Sequence, residues 1–254
     1  RTLTDYLYGG DQKYRLSQEI VLGIGGIRML KKMGYSNIER FHMNEGHAAL
    51  LSLELLKEEK NDRDGDPDFQ GIKQKCVFTT HTPVAAGHDK FDYALVNKLL
   101  DDYLPFDILK MIGGKEELNL TSLGLNMSHY INGVAKKHEK ISREMFPGYP
   151  IHHITNGVDS WTWTSDSFKD LYSHYITGWN NDPFLMRLAV SIPDEKIWQA
   201  HIEVKKNLLN FVKSETGINL SEEVLTIGFA RRATLYKRPL LIFSDILKLI
   251  DITK

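Results

Sequence analysis

Short apolar runs of β character alternate with amphipathic helical patterns along this chain, and that alternation narrows the available folds more than any other feature. Residues 14–33 repeat apolar side chains at helical spacing and stop before Gly34. Residues 38–43 read as a short strand, and 45–59, rich in Ala, Leu and Glu, as a helix. A solvated, aspartate-rich loop over 61–71 leads to a buried strand at 74–80. Helical patterns follow at 90–101 and 126–146. Residues 149–155 then form a further strand that stops at Asn156-Gly157, a pair suited to a turn with positive φ. This order predicts an α/β fold with a parallel, Rossmann-like sheet and helices on both faces.

The remainder of the chain predicts a second region. Aromatic residues between Trp161 and Trp179 punctuate a polar stretch and read as packing residues. Pro193 opens a long helix with Ile197, Trp198, His201, Val204, Leu208 and Phe211 inward. An apolar β-rich run at 224–230 and a helical pattern at 239–250 form one further βα unit. Four cations lie at their junction, Arg231, Arg232, Lys237 and Arg238, with no acidic residue between Leu225 and Ser244. A strand feeding a helix N-terminus offers unpaired N–H groups and a favourable dipole, so the block predicts a phosphate site. A solvated surface cluster is the alternative. One βα unit cannot complete a parallel sheet, so residues 1–157 read as one domain and 158–254 as the truncated start of a second Rossmann-like domain. Both ends read as internal to a longer protein: the chain opens on Arg1 and closes directly after a helical pattern.

Composition excludes several classes of function. The formal net charge of −1 is too small for a protein that grips nucleic acid through its overall field. No apolar stretch approaches the roughly 18 residues of a membrane helix, and no signal peptide opens the chain. The single cysteine, Cys76, lies in an apolar run, cannot form an internal disulfide and fits a reducing, cytoplasmic setting.

Several motifs fail on context. Gly23-Ile-Gly25-Gly26-Ile-Arg28 brushes the dinucleotide fingerprint but lies inside a helical pattern, where a strand-to-helix turn is required. His42 and His47 stand five residues apart, which on a helix points them away from each other, so they make no metal pair of the i, i+4 kind. No G-x-S-x-G nucleophile elbow is present. What remains follows the predicted strands: His42, Asn44 and Glu45 after one, Thr79 to Thr82 with His81 after the next, Asn156 after a third, Arg231 and Arg232 after a fourth. Ligands of open α/β sheets bind beyond the strand carboxyl ends, so these groups are placed to meet one small molecule. Neutral hydrogen-bonding groups suit sugar hydroxyls and the cations suit phosphate, a combination that suggests glycosyl transfer to or from phosphate.

At these residues the chain resembles the α-glucan phosphorylases, the glycogen, starch and maltodextrin phosphorylase family. The matching segments are Leu7-Tyr8-Gly-Gly-Asp11, Arg15-Leu-Ser-Gln-Glu19, Asn44-Glu-Gly-His47, Thr80-His81-Thr82, Ile131-Asn132 to His138, Thr155-Asn156-Gly-Val158 with Trp163, and Arg231-Arg232 to Arg238. Where animal and plant enzymes carry Lys-Arg, a histidine and Asn-Asp-Thr-His, this chain has Arg231-Arg232, Thr234 and Asn44-Glu45-Gly46-His47, which is similar to the shorter prokaryotic branch.

The resemblance implies a two-domain glycosyltransferase of the GT-B kind, with its active site in the interdomain cleft. It implies reversible phosphorolysis of α-1,4-glucans to glucose 1-phosphate, with retention, in a cytoplasmic enzyme that is a homodimer at full length. The implied cofactor is pyridoxal phosphate, working through its phosphate, with its attachment lysine outside this chain, so the stretch by itself is expected to be inactive. Carried over by residue, His81 and Asn156 would bond the 6-hydroxyl of the reacting glucose. Arg232 and Lys237 would bind substrate and cofactor phosphate, with Arg231 flanking the latter. Asp11 would gate access, and Glu45 and His47 would support His81 from behind. Two other readings share these features: a nucleotide-sugar-dependent glycogen or starch synthase-like enzyme, and a non-catalytic glucan-binding relative.

Overall fold

A computed structural model describes residues 2–6, 10–62, 67–101, 103–231 and 235–252. It divides into two compact units, Arg1–Asn156 and Gly157–Lys254.

After a 3₁₀ turn (Thr2–Thr4), the first unit continues with one long helix in three parts: α1 (Gln12–Ile20), a π turn (Val21–Gly25) and α2 (Gly26–Lys32). Asp11 caps it, accepting the Tyr14 amide at 2.8 Å, which satisfies one of the orphan donors of a helix start. Gly34, at φ 92°, adopts the left-handed backbone just past its end. Next come β1 (Phe41–Asn44), a 3₁₀ turn (Gly46–Ala48), α3 (Leu51–Asp62), α4 (Phe69–Lys75) and β2 (Cys76–Thr80). A short antiparallel pair, β3 (Lys90–Asp92) with β4 (Glu117–Asn119), brackets α5 (Tyr93–Leu100) and α6 (Phe106–Gly113). The unit closes with α7 (Leu120–Asn126), β5 (Tyr130–Gly133), α8 (Lys136–Met145) and β6 (Ile151–His153).

The main sheet has the order β1-β2-β5-β6 and is parallel throughout. Its register aligns Met43, Phe78, Ile131 and Ile151 in a single row across all four strands. All four are buried, and Leu16, Leu50, Leu53, Leu56, Leu120 and Leu123 from the helices complete the core. That coverage explains why a sheet of such short strands is stable: each strand alone makes few bonds, and helices bury its apolar side chains. The glycines of the rejected fingerprint lie within the long opening helix, not in a strand-to-helix turn.

Several local expectations are corrected. Residues 126–146 are not one helix, because β5 occupies their middle and pairs with β2 on one side and β6 on the other. Tyr-Ile-Asn-Gly has little intrinsic preference, and its two neighbours decide its conformation. Residues 69–75 form α4, where a loop and the start of a strand were expected. The helix expected from residue 45 begins at Leu51, since Glu45 has φ 64° and cannot be helical. Residues 90–92 are strand before α5 begins.

Cys76, the first residue of β2, is fully buried, and burial pushes its thiol up to about 12. Its thiolate is therefore scarce at pH 8. Labelling by a thiol reagent at pH 8 is expected to run at least about a thousandfold slower in the native protein than in denaturant, since reaction requires the core to open. Fast native labelling would place Cys76 outside the core.

The second unit contains α9 (Ser160–Trp163), α10 (Asp166–Tyr175), a 3₁₀ segment (Pro183–Ser191), α11 (Asp194–Thr216) and α12 (Ile246–Ile252). Its small core is Ile176, Trp179 and Ile192, packed by Tyr172, Tyr175 and Ile197. Trp161 stacks on Trp179 with ring centroids 5.7 Å apart, whereas Trp163 is exposed. Along α11 the buried residues are Ala200 and Leu209. Trp198, His201, Leu208 and Phe211, expected inward, face outward.

The βα unit expected at 224–250 is also corrected. Residues 224–230 carry no strand, and Val224, Leu225, Ile227 and Phe229 are exposed. A parallel strand needs a neighbour, and no strand occurs among the described residues of this unit. The helix expected from Pro239 is reduced to a 3₁₀ turn at Leu241–Phe243 and the seven residues of α12. No helix among the described residues is long and apolar enough to cross a membrane.

Candidate active site

Parallel pairing puts the carboxyl ends of β1, β2, β5 and β6 along one edge of the sheet. A hydrogen-bonded chain reaches across the strands just before that edge. His42 Nε2 lies 2.7 Å from Thr79 Oγ1, which donates to Asn132 Oδ1 at 2.9 Å. With the hydroxyl proton directed to Asn132, His42 is the donor to Thr79.

Glu45 is the first residue past β1, and its backbone is unusual. At φ 64° and ψ 178° it occupies a region that is almost exclusively glycine's and costs a larger residue about 1 to 3 kcal/mol. Three hydrogen bonds hold it there. Its amide donates to Thr79 O at 2.8 Å, and its buried carboxylate Oε2 accepts the His81 amide at 2.7 Å and the Thr82 hydroxyl at 2.9 Å. The strained turn thus presents a carboxylate to the start of the loop that follows β2. The His81 ring itself is exposed beyond the edge. Asn156, three residues past β6, is anchored by its amide to Val134 O at 3.2 Å, with its side chain exposed. His81 and Asn156 therefore leave the same sheet edge on either side of β5.

The side chain of His47 takes a different course. Its Nδ1 lies 2.6 Å from an Arg15 terminal nitrogen, 3.2 Å from Asp89 Oδ2 and 3.5 Å from Glu19 Oε1. The same Arg15 nitrogen reaches Asp89 Oδ2 at 2.8 Å and Glu19 Oε1 at 3.0 Å. Burial pushes the Glu19 carboxyl up to about 7, with the Asp89 charge adding to it and the His47 hydrogen bond opposing it. Hydrogen bonds to Asp89 and then Glu19 raise His47 to about 9 against the effect of burial. Burial also pushes Asp89 upward, but bonds from His47, Arg15 and Glu19 outweigh it and hold the acid well below the usual carboxylate range. One ligand atom each from Glu19, His47 and Asp89 lies within 4.8 Å of the others, a spacing that would suit a cation. The Arg15 guanidinium already lies within hydrogen-bonding distance of all three.

Sequence reading assigned no role to Arg15, Glu19 or Asp89. Arg15 and Glu19 carry a local signal, being one helical turn apart and able to pair. Asp89 has none, because only the fold brings it 74 positions back to Arg15. His88, beside it, is a core histidine: Nδ1 bonds Thr121 Oγ1 at 2.9 Å, the ring meets Phe146 edge-on, and burial lowers its basicity. Asp11 remains at the mouth of α1 as its cap.

In the second unit, Arg231 and Arg238 are exposed and Lys237 ends a 3₁₀ turn (Leu235–Lys237). The Lys237 ammonium lies 4.6 Å from the centroid of the Tyr236 ring. Arg232, with Ala233 and Thr234, lies outside the described residues, as do Leu7, Tyr8 and Gly9. Without a preceding strand or a long following helix, backbone dipoles add little here, and the cationic side chains are what could attract an anion.

Fold and geometry together define an open-sheet α/β protein in which Glu45, His81 and Asn156 lie just beyond the strand ends, where such folds bind small molecules. No protein-family model matches the chain. Maltodextrin phosphorylase from Thermococcus litoralis is 36% identical over 282 residues, covering 98% of this chain and 34% of that protein. Glycogen phosphorylase from Mycobacterium tuberculosis is 32% identical, covering 96% of this chain and 34% of its own length. Glycogen phosphorylase from Aquifex aeolicus is 30% identical, covering 98% of this chain and 41% of itself. The chain belongs to the α-glucan phosphorylase family, and it spans about a third of the length of the first two curated relatives.

Proposed function

We propose that this chain forms part of an α-glucan phosphorylase of the GT-B kind, which transfers glucose from the end of an α-1,4-glucan to phosphate, with retention, to give glucose 1-phosphate. The observation that carries the reading is the strained, buried Glu45, which spends backbone energy to hold the His81 loop at the ligand-binding edge of the sheet. Such strain accumulates where a side chain must be aimed. In this reading the exposed His81 ring and the Asn156 amide hydrogen-bond the sugar, and Arg231, Arg232 and Lys237 receive phosphate. A glucosyl centre that develops positive charge beside a phosphate dianion needs its partners fixed in place, which oriented donors and cations achieve.

Pyridoxal phosphate fits the donor set in one respect. Among the described residues no ion pair engages Arg231, Lys237 or Arg238, and these cations could hold its phosphate. When bound, the cofactor would supply a phosphate group able to exchange a proton with the substrate phosphate. Lys237 and Arg231 would offset the repulsion between the two anions.

The test uses the full-length protein. Maltodextrin with inorganic phosphate is expected to yield glucose 1-phosphate, and Lys237→Ala to lower turnover by about a thousandfold while dextrin binding stays nearly unchanged. Incorporation of glucose from ADP- or UDP-glucose without phosphorolysis would replace this reading with a synthase. Dextrin binding without either reaction would leave a glucan-binding relative.

A further inference from the structure

We infer that Arg15, Glu19, His47 and Asp89 form an internal ion cluster that ties the loop bearing His81 to the opening helix, making Arg15 and Asp89 positioning residues for that loop. The inference rests on the proposed function only in what the positioned loop is for.

The geometry comes from three separate elements. Arg15 and Glu19 project from α1, His47 from the 3₁₀ turn that follows Glu45, and Asp89 from the end of the loop that His81 begins. The cluster is not the sole restraint on the far end of that loop: the His88 ring bonds Thr121 Oγ1 at 2.9 Å, and the Leu120 amide donates to Asp89 O at 3.1 Å. The loop's internal backbone bonds are Gly87 N–H to Val84 O at 3.1 Å and His88 N–H to Ala85 O at 3.3 Å. Glu45 fixes its first residues through the His81 amide and the Thr82 hydroxyl, and Arg15 fixes its last through Asp89. His47, two positions after Glu45, also meets Asp89 Oδ2 at 3.2 Å, so the turn after β1 touches both ends of the loop while Arg15 reaches its far end from α1.

Charge balance supports the assignment. Between about pH 7, where Glu19 ionises, and about pH 9, where His47 loses its proton, two cations face two anions and the cluster is neutral. Glu19 is almost completely buried, and a carboxylate there without Arg15 would be an uncompensated buried charge. The other ionisable groups around it are engaged elsewhere or uncharged: Lys90 pairs with Glu117 at 2.7 Å, Glu45 accepts from the His81 loop, and burial keeps His88 neutral. His47 Nδ1 can serve the cluster in two ways. Protonated, it donates to the carboxylates; deprotonated, it can only accept from Arg15 and leaves an excess of negative charge.

The sign of the pH dependence follows. A ring whose basicity rises from 6.5 in the unfolded chain to about 9 in the fold contributes fully below pH 6.5, and its contribution fades as pH climbs through about 9. Hydrogen exchange on this chain, expressed as protection relative to the intrinsic rate, reads the tie directly at the His81, Gly87 and His88 amides. Asp89→Asn and Arg15→Met are each expected to lower that protection at least tenfold, with amides of β5 unaffected. In the unmodified chain protection should drop between pH 8 and 10, and His47→Gln should abolish that drop. Asp89→Asn is the milder change, since Asp89 is only partly buried, so it decides the matter if Arg15→Met fails to fold.

In the full-length protein the same Asp89→Asn substitution is expected to lower kcat for phosphorolysis about tenfold, with the KM for phosphate little changed. Unaltered protection in Asp89→Asn overturns the tie, and loosened protection with unaltered kcat overturns the positioning role. If unmodified full-length protein shows no phosphorolysis, the proposed function falls while the exchange measurement still decides whether the cluster holds the loop.

Discussion

Gly23→Ala is expected to destabilise the protein by about 3 kcal/mol, a large share of the roughly 5 to 15 kcal/mol that holds a typical domain together. Gly23 sits in the π turn of the long opening helix, where it meets the start of α3 backbone to backbone. A β-carbon built there would lie 2.8 Å from the Leu51 nitrogen, 2.9 Å from Leu50 Cβ and 3.0 Å from the Leu50 carbonyl carbon. Leu50 is completely buried, so the main chain it belongs to cannot retreat without dragging α3 from the core. Gly26, three residues on in the same helix, has nothing within 4 Å of the equivalent position. Gly26→Ala should be neutral or stabilise by about 0.5 to 1 kcal/mol, because alanine loses less conformational freedom on folding. Urea titration of both variants checks the pair. Equal effects would mean that the helices do not approach as closely as described.

Glu45→Ala is expected to lower kcat/KM for glucan phosphorolysis by the full-length protein about a hundredfold. The substitution removes the shared acceptor of the His81 amide and the Thr82 hydroxyl, and hydrogen bonds to a charged group contribute about 1.5 to 3 kcal/mol each. A loss of about 2.7 kcal/mol at the loop that carries His81, the proposed sugar-binding ring, corresponds to that factor. Stability separates strain from hydrogen bonding. Glycine tolerates φ 64° and ψ 178° where alanine does not, so Glu45→Gly should unfold at higher urea than Glu45→Ala by about 1 kcal/mol. Both should be less active than the unmodified protein to a similar degree. Identical stability of the two variants would show that the backbone at this position is relaxed.

These two positions differ in how visible they were beforehand. Gly23 drew attention as part of a false cofactor motif, and its helical surroundings sufficed to reject that reading. Its actual role, close packing against Leu50 and Leu51, depends on a neighbour 27 positions away. Glu45 was placed behind His81 by resemblance alone, and no local pattern announces a glutamate in a glycine conformation. The cluster at Arg15 was half legible, since the Arg15–Glu19 pair is a helical spacing. Asp89 and the diversion of His47 toward it were not.

Periodicity along the chain was enough to determine the α/β class, the opening helix, the strand before the His81 loop and the strand before Asn156, because long or strongly apolar segments bury one way only. It also placed Glu45, His81 and Asn156 after strands of one parallel sheet, but wrongly gave Arg231 and Arg232 a strand of their own. Tertiary structure alone decided that residues 130–133 are the strand between β2 and β6 and that residues 224–230 form none. The physical reason is the same in both cases. A parallel strand is stabilised by its neighbours and not by its own residues, so Tyr130–Gly133 becomes one between two partners, while a far more β-like run remains unpaired without them.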